Sequence, residues 1–212
     1  LVGNQRHIVV SDQSGRSNIL SRFREIGVEI EPKNPRVSRL VELVKEQEFN
    51  GYAYDGAEAS FELLARRTLG TVPDYFHCTH FRVIDERRWN SQGELITLSE
   101  ATVKLEVGGE PFMTVAEGNG PVNALDAAMR KVLVSRYPAL ENLTLVDYKV
   151  RILTPGDGTR AVTRVMIESA DSHGKHWSTV GVSTNIIDAS YNALRDSIIF
   201  KLFHDGIDAV AA

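Results

Sequence analysis

The segments TVAEGNGPVNALDAAM (114–129) and TVGVSTNIIDASYNAL (179–194) are two copies of one pattern, separated by a constant offset of 65 residues. In each copy, a stretch of β-forming residues runs into a polar turn and then into alanines and aliphatic residues at helical spacing. A repeat within one chain indicates that one supersecondary unit is built twice. Beyond the opening Thr-Val, the matched pairs are Val122 with Ile187, Asn123 with Asp188, Ala124 with Ala189, and Ala128 with Ala193.

Strand patterns precede each copy. ATVKLEV and EPFMTVA lie before the first helix, while TRVMIES and HWSTVGV lie before the second, and each pair is joined by a turn sequence. HFRVI and KVRIL match further upstream at an offset of about 69. The order is therefore strand, strand, strand, helix, written twice. This predicts an α+β fold with antiparallel sheets backed by helices, and an uncovered sheet face that favours a homodimer.

The first third of the chain has helical patterns instead. One helix is predicted from residue 17 to a stop at Gly27, and a second begins with Asn34 as cap and Pro35 at its first position. A third begins at the capping-box pair Asp55 and Glu58. Composition changes after this region, so we predict short accessory helices in residues 1–72 and the duplicated domain in residues 73–212.

Composition excludes several classes of protein. The 24 basic and 28 acidic side chains give a net charge of −4 with no basic block, which argues against nucleic acid or an anionic membrane as a partner. One cysteine excludes an internal disulfide, and no apolar run approaches the roughly 18 residues of a spanning helix. The chain begins with Leu1 and shows no signal pattern, so we expect a cytoplasmic fragment of a longer protein. His77 and His80, three apart in a predicted strand, are expected on opposite faces, and no metal site is predicted.

The loop GNGP (118–121) directly precedes the first helix of the duplicated domain. It lacks the motifs of a P-loop or a dinucleotide loop, but a helix start offers free backbone N–H groups to a carboxylate. Residues 183–185 supply hydroxyl and amide groups at the matching place, beside apolar Val122 and Ile187. Together they suit a small zwitterion with an aliphatic side chain.

A purely structural interpretation competes with this one. In it, Gly118 and Gly120 are turn glycines with positive φ, and Ser183 caps the second helix.

Five segments resemble a known family: VGNQRHIVVSDQSGRSNIL, GYAYDGAEASFELLARR, EGNGPVNALDAA, LVDYKVRIL and GVSTNIIDASYNAL. In this order they resemble the C-terminal part of the citramalate synthases, a branch of the α-isopropylmalate synthase family. The resemblance implies a parent enzyme whose N-terminal TIM barrel condenses acetyl-CoA with a 2-oxo acid on a divalent metal. It also implies accessory helices and a dimer-forming regulatory domain that binds the end-product amino acid at the interface. The barrel and its HxH motif are absent from this sequence, so the chain itself is expected to hold no catalytic residue or cofactor and to be inactive alone.

The same resemblance implies the effector-binding residues. The citramalate branch implies isoleucine as effector, but the Ser-Thr-Asn stretch departs from leucine-responsive relatives and leaves the choice between isoleucine and leucine open. Tyr148 and Ile152, four apart on a predicted strand, share a face. The implied set is Gly118, Asn119, Gly120, Pro121, Val122, Asn123, Leu145, Tyr148, Ile152, Thr159, Thr163, Ser183, Thr184 and Asn185.

Ser14, Gly15 and Arg16 are implied to lie near the mouth of the parent's barrel, where they would help to position substrate or acyl-CoA. The alternative is a turn and an N-cap for the helix that follows. Two functions remain for the whole chain: the regulatory region of a citramalate or isopropylmalate synthase, partnered by the barrel of the same parent chain, or a free-standing ligand-binding or assembly domain without a barrel.

Overall fold

A computed structural model describes residues 16–28 and 34–211. Three helices come first, followed by three strands and a helix, and then by three more strands and a helix. Short 3-10 turns span Tyr54–Gly56, Pro138–Asn142 and Pro155–Arg160. The elements are α1 (Arg16–Glu25), α2 (Pro35–Phe49), α3 (Glu58–Leu69), β1 (His77–Trp89), β2 (Leu95–Val107), β3 (Glu110–Gly118), α4 (Pro121–Arg136), β4 (Thr144–Ile152), β5 (Thr163–Ala170), β6 (His176–Ser183) and α5 (Ile186–His204).

The duplicated βββα unit is confirmed. β1, β2 and β3 form the first sheet, and β4, β5 and β6 form a separate second sheet, both antiparallel and in chain order. One hydrogen bond repeats at the same offset of 65: the hydroxyl of Thr114 donates to the carbonyl of Ala128 at 2.8 Å, and Thr179 donates to Ala193 at 2.8 Å. The last strand of each unit, β3 or β6, is therefore hydrogen-bonded to the helix of the same unit in the same way.

The helices α4 and α5 lie between the two sheets. In the main core, Val103 and Leu105 of β2 pack with Met129 of α4 and Ile198 of α5, all fully or almost fully buried. A smaller cluster joins β5 to α5 on the other side. The unit is a layered sandwich of sheet, helices and sheet, held by burial of one face of each sheet.

The N-terminal helices cover the outer face of the second sheet. Phe23, Leu40 and Phe61 form a cluster that includes Val180 of β6, with Met166 of β5 packed against it. Val37, Leu40 and Val44 bury one face of α2, whose predicted start is confirmed because the Asn34 side chain accepts from the N–H of Arg36. The accessory helices are thus packed onto the duplicated domain, and the division at residue 72 stays a prediction.

A buried polar network also connects α3 to the second βββα unit, which comprises β4, β5, β6 and α5. The Ser60 hydroxyl of α3 donates to Asp196 of α5 at 3.0 Å and accepts from the N–H of Val180 at 3.0 Å. The guanidinium of Arg67 lies 2.9 Å from the same carboxylate. Ser60 and Asp196 are both buried, so these bonds connect α3 to the second unit away from water.

Two local predictions were wrong. The capping box is absent: α3 begins after Ala57 with no side-chain cap, and Asp55 lies in the preceding 3-10 turn, where it pairs with Arg22 at 3.0 Å. His77 and His80 do not lie on opposite faces. A bulge between Cys78 and His80 shifts the register, so both histidines lie opposite residues of the same face of β2, Glu106 and Lys104.

Within residues 16–28 and 34–211, no helix is long and apolar enough to cross a membrane. The same ranges contain no group of three His, Cys, Asp or Glu side chains arranged to hold a metal ion.

Candidate functional site

The loop before α4 depends on a glycine because the chain passes close to itself there. A β-carbon on Gly118 would lie 2.5 Å from the amide nitrogen of Ala124 and 2.6 Å from Oδ1 of Asn123. Gly120 is different: its φ of −173° is extended, and a β-carbon there would meet nothing within 4 Å. Neither glycine has positive φ. The interpretation that both glycines are needed for positive φ was therefore wrong. Gly118 is needed for a close approach of the backbone, and Gly120 has no steric role within the described fold.

The N-termini of α4 and α5 differ in their capping. At α5, the Asn185 side chain accepts from the N–H of Ile187 at 2.9 Å, so Asn185 and not Ser183 is the cap; Ser183 instead accepts from the N–H of Asn185 at 3.1 Å. At α4, the N-cap is Gly120, and no side chain of the described residues caps the helix. The first turn of α4 thus keeps backbone donors available for an anion.

A cleft of about 340 Å³ opens beside this helix start. It lies between α4 of the first unit and β4 of the second, so it exists only because the two units are packed together. Its volume lies at the lower end of the range for small-molecule pockets. The lining residues are Val122, Asn123, Asp126, Leu145 and Tyr148.

The apolar wall of the cleft is fixed by its neighbours. Tyr148 lies opposite Ile167 in the second sheet, and its hydroxyl is 2.7 Å from that of Ser190 in α5. The Ser190 hydroxyl donates to the carbonyl of Ile186 at 2.6 Å. Because the phenol is anchored at its far end, the ring presents a rigid face beside Leu145 and Val122 to an aliphatic group.

Asp126 supplies the charge of the cleft and was missed by the sequence prediction. Its side chain is 19% exposed, and Oδ2 accepts from Nε of Arg130 at 2.8 Å. Its other oxygen, Oδ1, is buried without a hydrogen-bond donor among the described residues. Arg130 also donates to the carbonyl of Leu143 at 2.9 Å, just before β4. An ammonium group at the cleft would supply the donor that this oxygen lacks.

The structure brings four of the predicted effector residues into one cleft: Val122, Asn123, Leu145 and Tyr148. The loop residues Asn119, Gly120 and Pro121 directly precede them, and Asn119 donates through its N–H to Asn123 at 3.1 Å. Asp126, one helical turn beyond Val122, completes the lining. As an i,i+4 partner of Arg130 it resembles an ordinary helix-surface pair, which gave the sequence no signal of a site.

The other predicted residues lie elsewhere and remain predictions. Ile152 shares the face of Tyr148 but lies at the far end of β4, in a row with Thr163 and Ser183 across the second sheet. Thr159 and Thr184 are exposed, the former in a 3-10 turn and the latter before α5. Asn185 is the α5 cap. Ser14 and Gly15 fall outside the described residues, and Arg16 begins α1.

The duplication allows a direct comparison with the matching place in the other unit. Strand registers put Phe81 in the row of Val103 and Thr114, as Tyr148 is in the row of Ile167 and Thr179. Tyr191 stands 65 residues after Asp126. The rings of Phe81 and Tyr191 lie 5.2 Å apart, and burial raises the pKa of the Tyr191 phenol and of the nearby Cys78 thiol. Aromatic packing occupies the place that corresponds to the cleft.

Residues 55–201 match the family model of the LeuA allosteric (dimerisation) domain. The chain belongs to this family. The match contains both βββα units up to the last turn of α5, and it also contains α3.

Comparison with curated proteins points to two kinds of enzyme. The chain is 52% identical to the (R)-citramalate synthase of Geobacter sulfurreducens and 50% identical to that of Aquifex aeolicus, over 95% and 97% of this chain. It is 31% identical to the 2-isopropylmalate synthase of Aquifex aeolicus over 90% of this chain. It spans only 38%, 38% and 33% of these relatives respectively. The chain therefore corresponds to a minor part of each.

Proposed function

We propose that the cleft binds a branched-chain amino acid, isoleucine, and that the chain is the feedback-regulatory region of a citramalate synthase. The observation that carries the proposal is the pairing of two unmatched groups across one apolar cleft. The uncapped start of α4 suits a carboxylate, and the free oxygen of Asp126 suits an ammonium group. Only a zwitterion uses both.

The apolar residues define the side chain of the ligand. Val122, Leu145 and Tyr148 present aliphatic and aromatic surface without a second charge, which suits an unbranched or branched alkyl group and excludes an acidic or basic one. A cleft of about 340 Å³ accommodates one small amino acid.

The choice of isoleucine rests on the relatives. The two that are 52% and 50% identical are called (R)-citramalate synthase, whereas the 2-isopropylmalate synthase is 31% identical. In the reaction class proposed for the parent enzyme, acetyl-CoA and pyruvate condense on a divalent metal in a TIM barrel outside this chain, and isoleucine is the end product. Leucine, as effector of an isopropylmalate synthase, is the second candidate.

Regulation requires a link from the cleft to the rest of the parent protein. An effector lowers activity only if it binds one conformational state better than another, with a coupling of typically about 1–3 kcal/mol. The network of Ser60, Asp196 and Arg67 joins α3 to the second unit, which also carries Leu145 and Tyr148. This supports α3 as the route of coupling, with the homodimer as the regulated assembly.

A calorimetric titration of the 212-residue chain tests the proposal. L-Isoleucine is the main ligand; 3-methylpentanoate lacks only its ammonium group and 2-methylbutylamine lacks only its carboxylate. We expect isoleucine to bind at least tenfold more tightly than leucine and than either analogue, because each analogue leaves one partner group unmatched. Equal binding of isoleucine and 3-methylpentanoate would remove Asp126 from the site. Stronger binding of leucine would assign the chain to the isopropylmalate branch, and no binding of any amino acid would support a domain that serves assembly alone.

A further inference from the structure

Residues 205–211, called the strap below, follow α5 and leave the second βββα unit. α5 ends in a Schellman turn at Gly206, where the N–H of Ile207 donates to the carbonyl of Leu202 at 3.0 Å. The chain then runs onto the first βββα unit, which comprises β1, β2, β3 and α4. The strap side chains that are partly buried against the main core are Ile207, Ala209 and Val210.

Two buried tyrosines hold the strap. The hydroxyl of Tyr75, just before β1, donates to the carbonyl of Ile207 at 2.9 Å. The hydroxyl of Tyr137, at the C-terminal end of α4, accepts from the N–H of Val210 at 3.2 Å and donates to the carbonyl of Tyr75 at 2.7 Å. Burial raises the pKa of Tyr75 to about 12 and also raises the pKa of Tyr137, so both phenols stay protonated at neutral pH. The strap, the end of α4 and the entry to β1 are therefore tied together.

The turn between β2 and β3 is shaped to accept the strap. Gly108 in this turn has a φ of +58°, and a β-carbon there would lie 2.7 Å from the carbonyl oxygen of Ala211 and 2.8 Å from Cγ1 of Val210. Gly93, in the turn between β1 and β2, has a φ of +80°, but a β-carbon there would meet nothing within 4 Å. Both turns need a glycine for their backbone, and only Gly108 also needs one because the strap packs on it.

We propose that the strap regulates the effector cleft: the closed strap holds α4 in place for isoleucine, and bound isoleucine in turn favours the closed strap. The cleft lies at the N-terminal end of α4, where Val122 packs against the cluster that contains Ala189 of α5. The strap connects the C-terminal end of the same helix to the end of α5. α4 is thus joined to the second unit at both ends as well as through the main core, and opening of the strap removes one end connection.

The strap has the features of a segment that opens locally. It is short, it contains no helix or strand, and its side chains are only partly buried, so it opens at a lower free energy than the core. If opening weakens isoleucine binding by some factor, isoleucine must stabilise the closed strap by the same factor, because such coupling is reciprocal. The effect on isoleucine rests on the proposed function, whereas the attachment of the strap does not.

Hydrogen exchange of the Val210 N–H, which is bonded to Tyr137 in the closed strap, tests the proposal in the 212-residue chain. Gly108→Ala pushes a β-carbon into the strap and should speed this exchange at least about tenfold. Tyr75→Phe removes one hydrogen bond to the strap and should speed it about fivefold. Gly93→Ala is the matched control, because it strains a similar backbone in open space, and it should leave the exchange rate unchanged.

Isoleucine provides the second half of the test. Saturating isoleucine should slow the exchange of the wild-type Val210 N–H at least about threefold, and Gly108→Ala should bind isoleucine at least about threefold more weakly than Gly93→Ala. The N–H of Gly93, which donates to the carbonyl of Asn90 at the other end of β2, is the internal control and should not respond.

Three results would overturn the proposed role of the strap. The first is a wild-type Val210 N–H that exchanges as fast as in an unstructured peptide. The second is equal exchange in Gly108→Ala and Gly93→Ala, and the third is bound isoleucine that leaves the exchange of Val210 unchanged. A chain that binds no amino acid, while Gly108→Ala alone speeds the exchange of Val210, would refute the effector site and the coupling but support the attachment of the strap.

Discussion

The rings of Phe81 in β1 and Tyr191 in α5 pack with their centroids 5.2 Å apart, at the place that corresponds to Tyr148 and Asp126 in the cleft. The duplicated architecture thus contains one open position and one that is filled by aromatic side chains. At the filled position the half-buried ring of Tyr191 replaces the carboxylate, and α5 is capped by Asn185, so both groups that would hold a zwitterion are lost.

This asymmetry predicts one amino-acid site per chain. Titration of isoleucine should saturate at one ligand per chain, and a dimer should therefore take up two. The stoichiometry of the calorimetric titration measures this directly. A value of two per chain would mean that the packing of Phe81 on Tyr191 opens to admit a ligand.

Alanine substitutions at the two glycines of the loop before α4 should affect different properties: ligand binding at Gly120 and stability at Gly118. Gly120→Ala adds a methyl group in open space at an extended residue, so the melting temperature should change by less than about 2 °C, while isoleucine binding weakens because the methyl group lies at the uncapped helix start. Gly118→Ala forces a β-carbon against the backbone of α4 and should lower the stability by about 1–3 kcal/mol. Thermal melts and titrations of both variants provide the measurements. Unchanged isoleucine affinity in Gly120→Ala would place the carboxylate elsewhere.

Asp126→Asn should weaken isoleucine binding by about tenfold to a hundredfold, because a charge-assisted hydrogen bond contributes about 1.5–3 kcal/mol. Binding of 3-methylpentanoate, which has no ammonium group, should not change. Asp188→Asn in the first turn of α5 is the control, since it removes an equal charge from the other helix start. If both variants bound isoleucine equally well, the ammonium group would have another partner.

The packing of α3 against the second βββα unit should depend on the hydroxyl of Ser60. Ser60→Ala leaves the N–H of Val180 and one oxygen of Asp196 unpaired in a buried place, so the free energy of unfolding should fall by about 1–3 kcal/mol. Ser135→Ala, at an exposed position of α4, should change it by no more than about 0.5 kcal/mol. Urea denaturation compares the two. Equal stability of both variants would show that the network contributes nothing to the joint.

Periodicity and the internal repeat predicted the elements well because both are properties of long segments. The six strands, both domain helices and the cap at Asn34 follow from alternation, helical spacing and turn chemistry, each local in the chain. The repeat offset of 65 reappears in the bonds of Thr114 and Thr179 to their helices. The resemblance to the citramalate synthases agrees with the family and the relatives found, and its cleft residues Leu145 and Tyr148 lie where one pocket exists.

What could not be predicted depends on contacts between distant segments. The bulge that brings His77 and His80 to one face is set by pairing with β2, and the need for Gly118 arises from its approach to Ala124. Asp126 becomes notable only because Arg130 pairs with one of its oxygens and the other is buried without a donor among the described residues, beside a cleft that β4 helps to form. No spacing rule within α4 contains that information.

The acid sensitivity of the fold should be traceable to Glu62 in α3. Burial raises the pKa of this carboxyl, but hydrogen bonds from His204 and Arg66 outweigh it, and the net effect is a pKa below the ordinary value. A depressed pKa stabilises the folded state fully above the unfolded pKa of about 4.3, and this contribution is lost as the pH falls through the folded value. Glu62→Gln should therefore melt at a lower temperature than the wild type at pH 7. The difference should begin to shrink below about pH 4.3 and should disappear as the pH falls through the lower pKa of the folded state, where the wild-type carboxyl becomes neutral as well. Melting temperatures between pH 2.5 and 7 measure this convergence, with Glu58→Gln on the exposed side of the same helix as control. A difference that stays constant over the whole range would mean that Glu62 acts through packing and not through its charge.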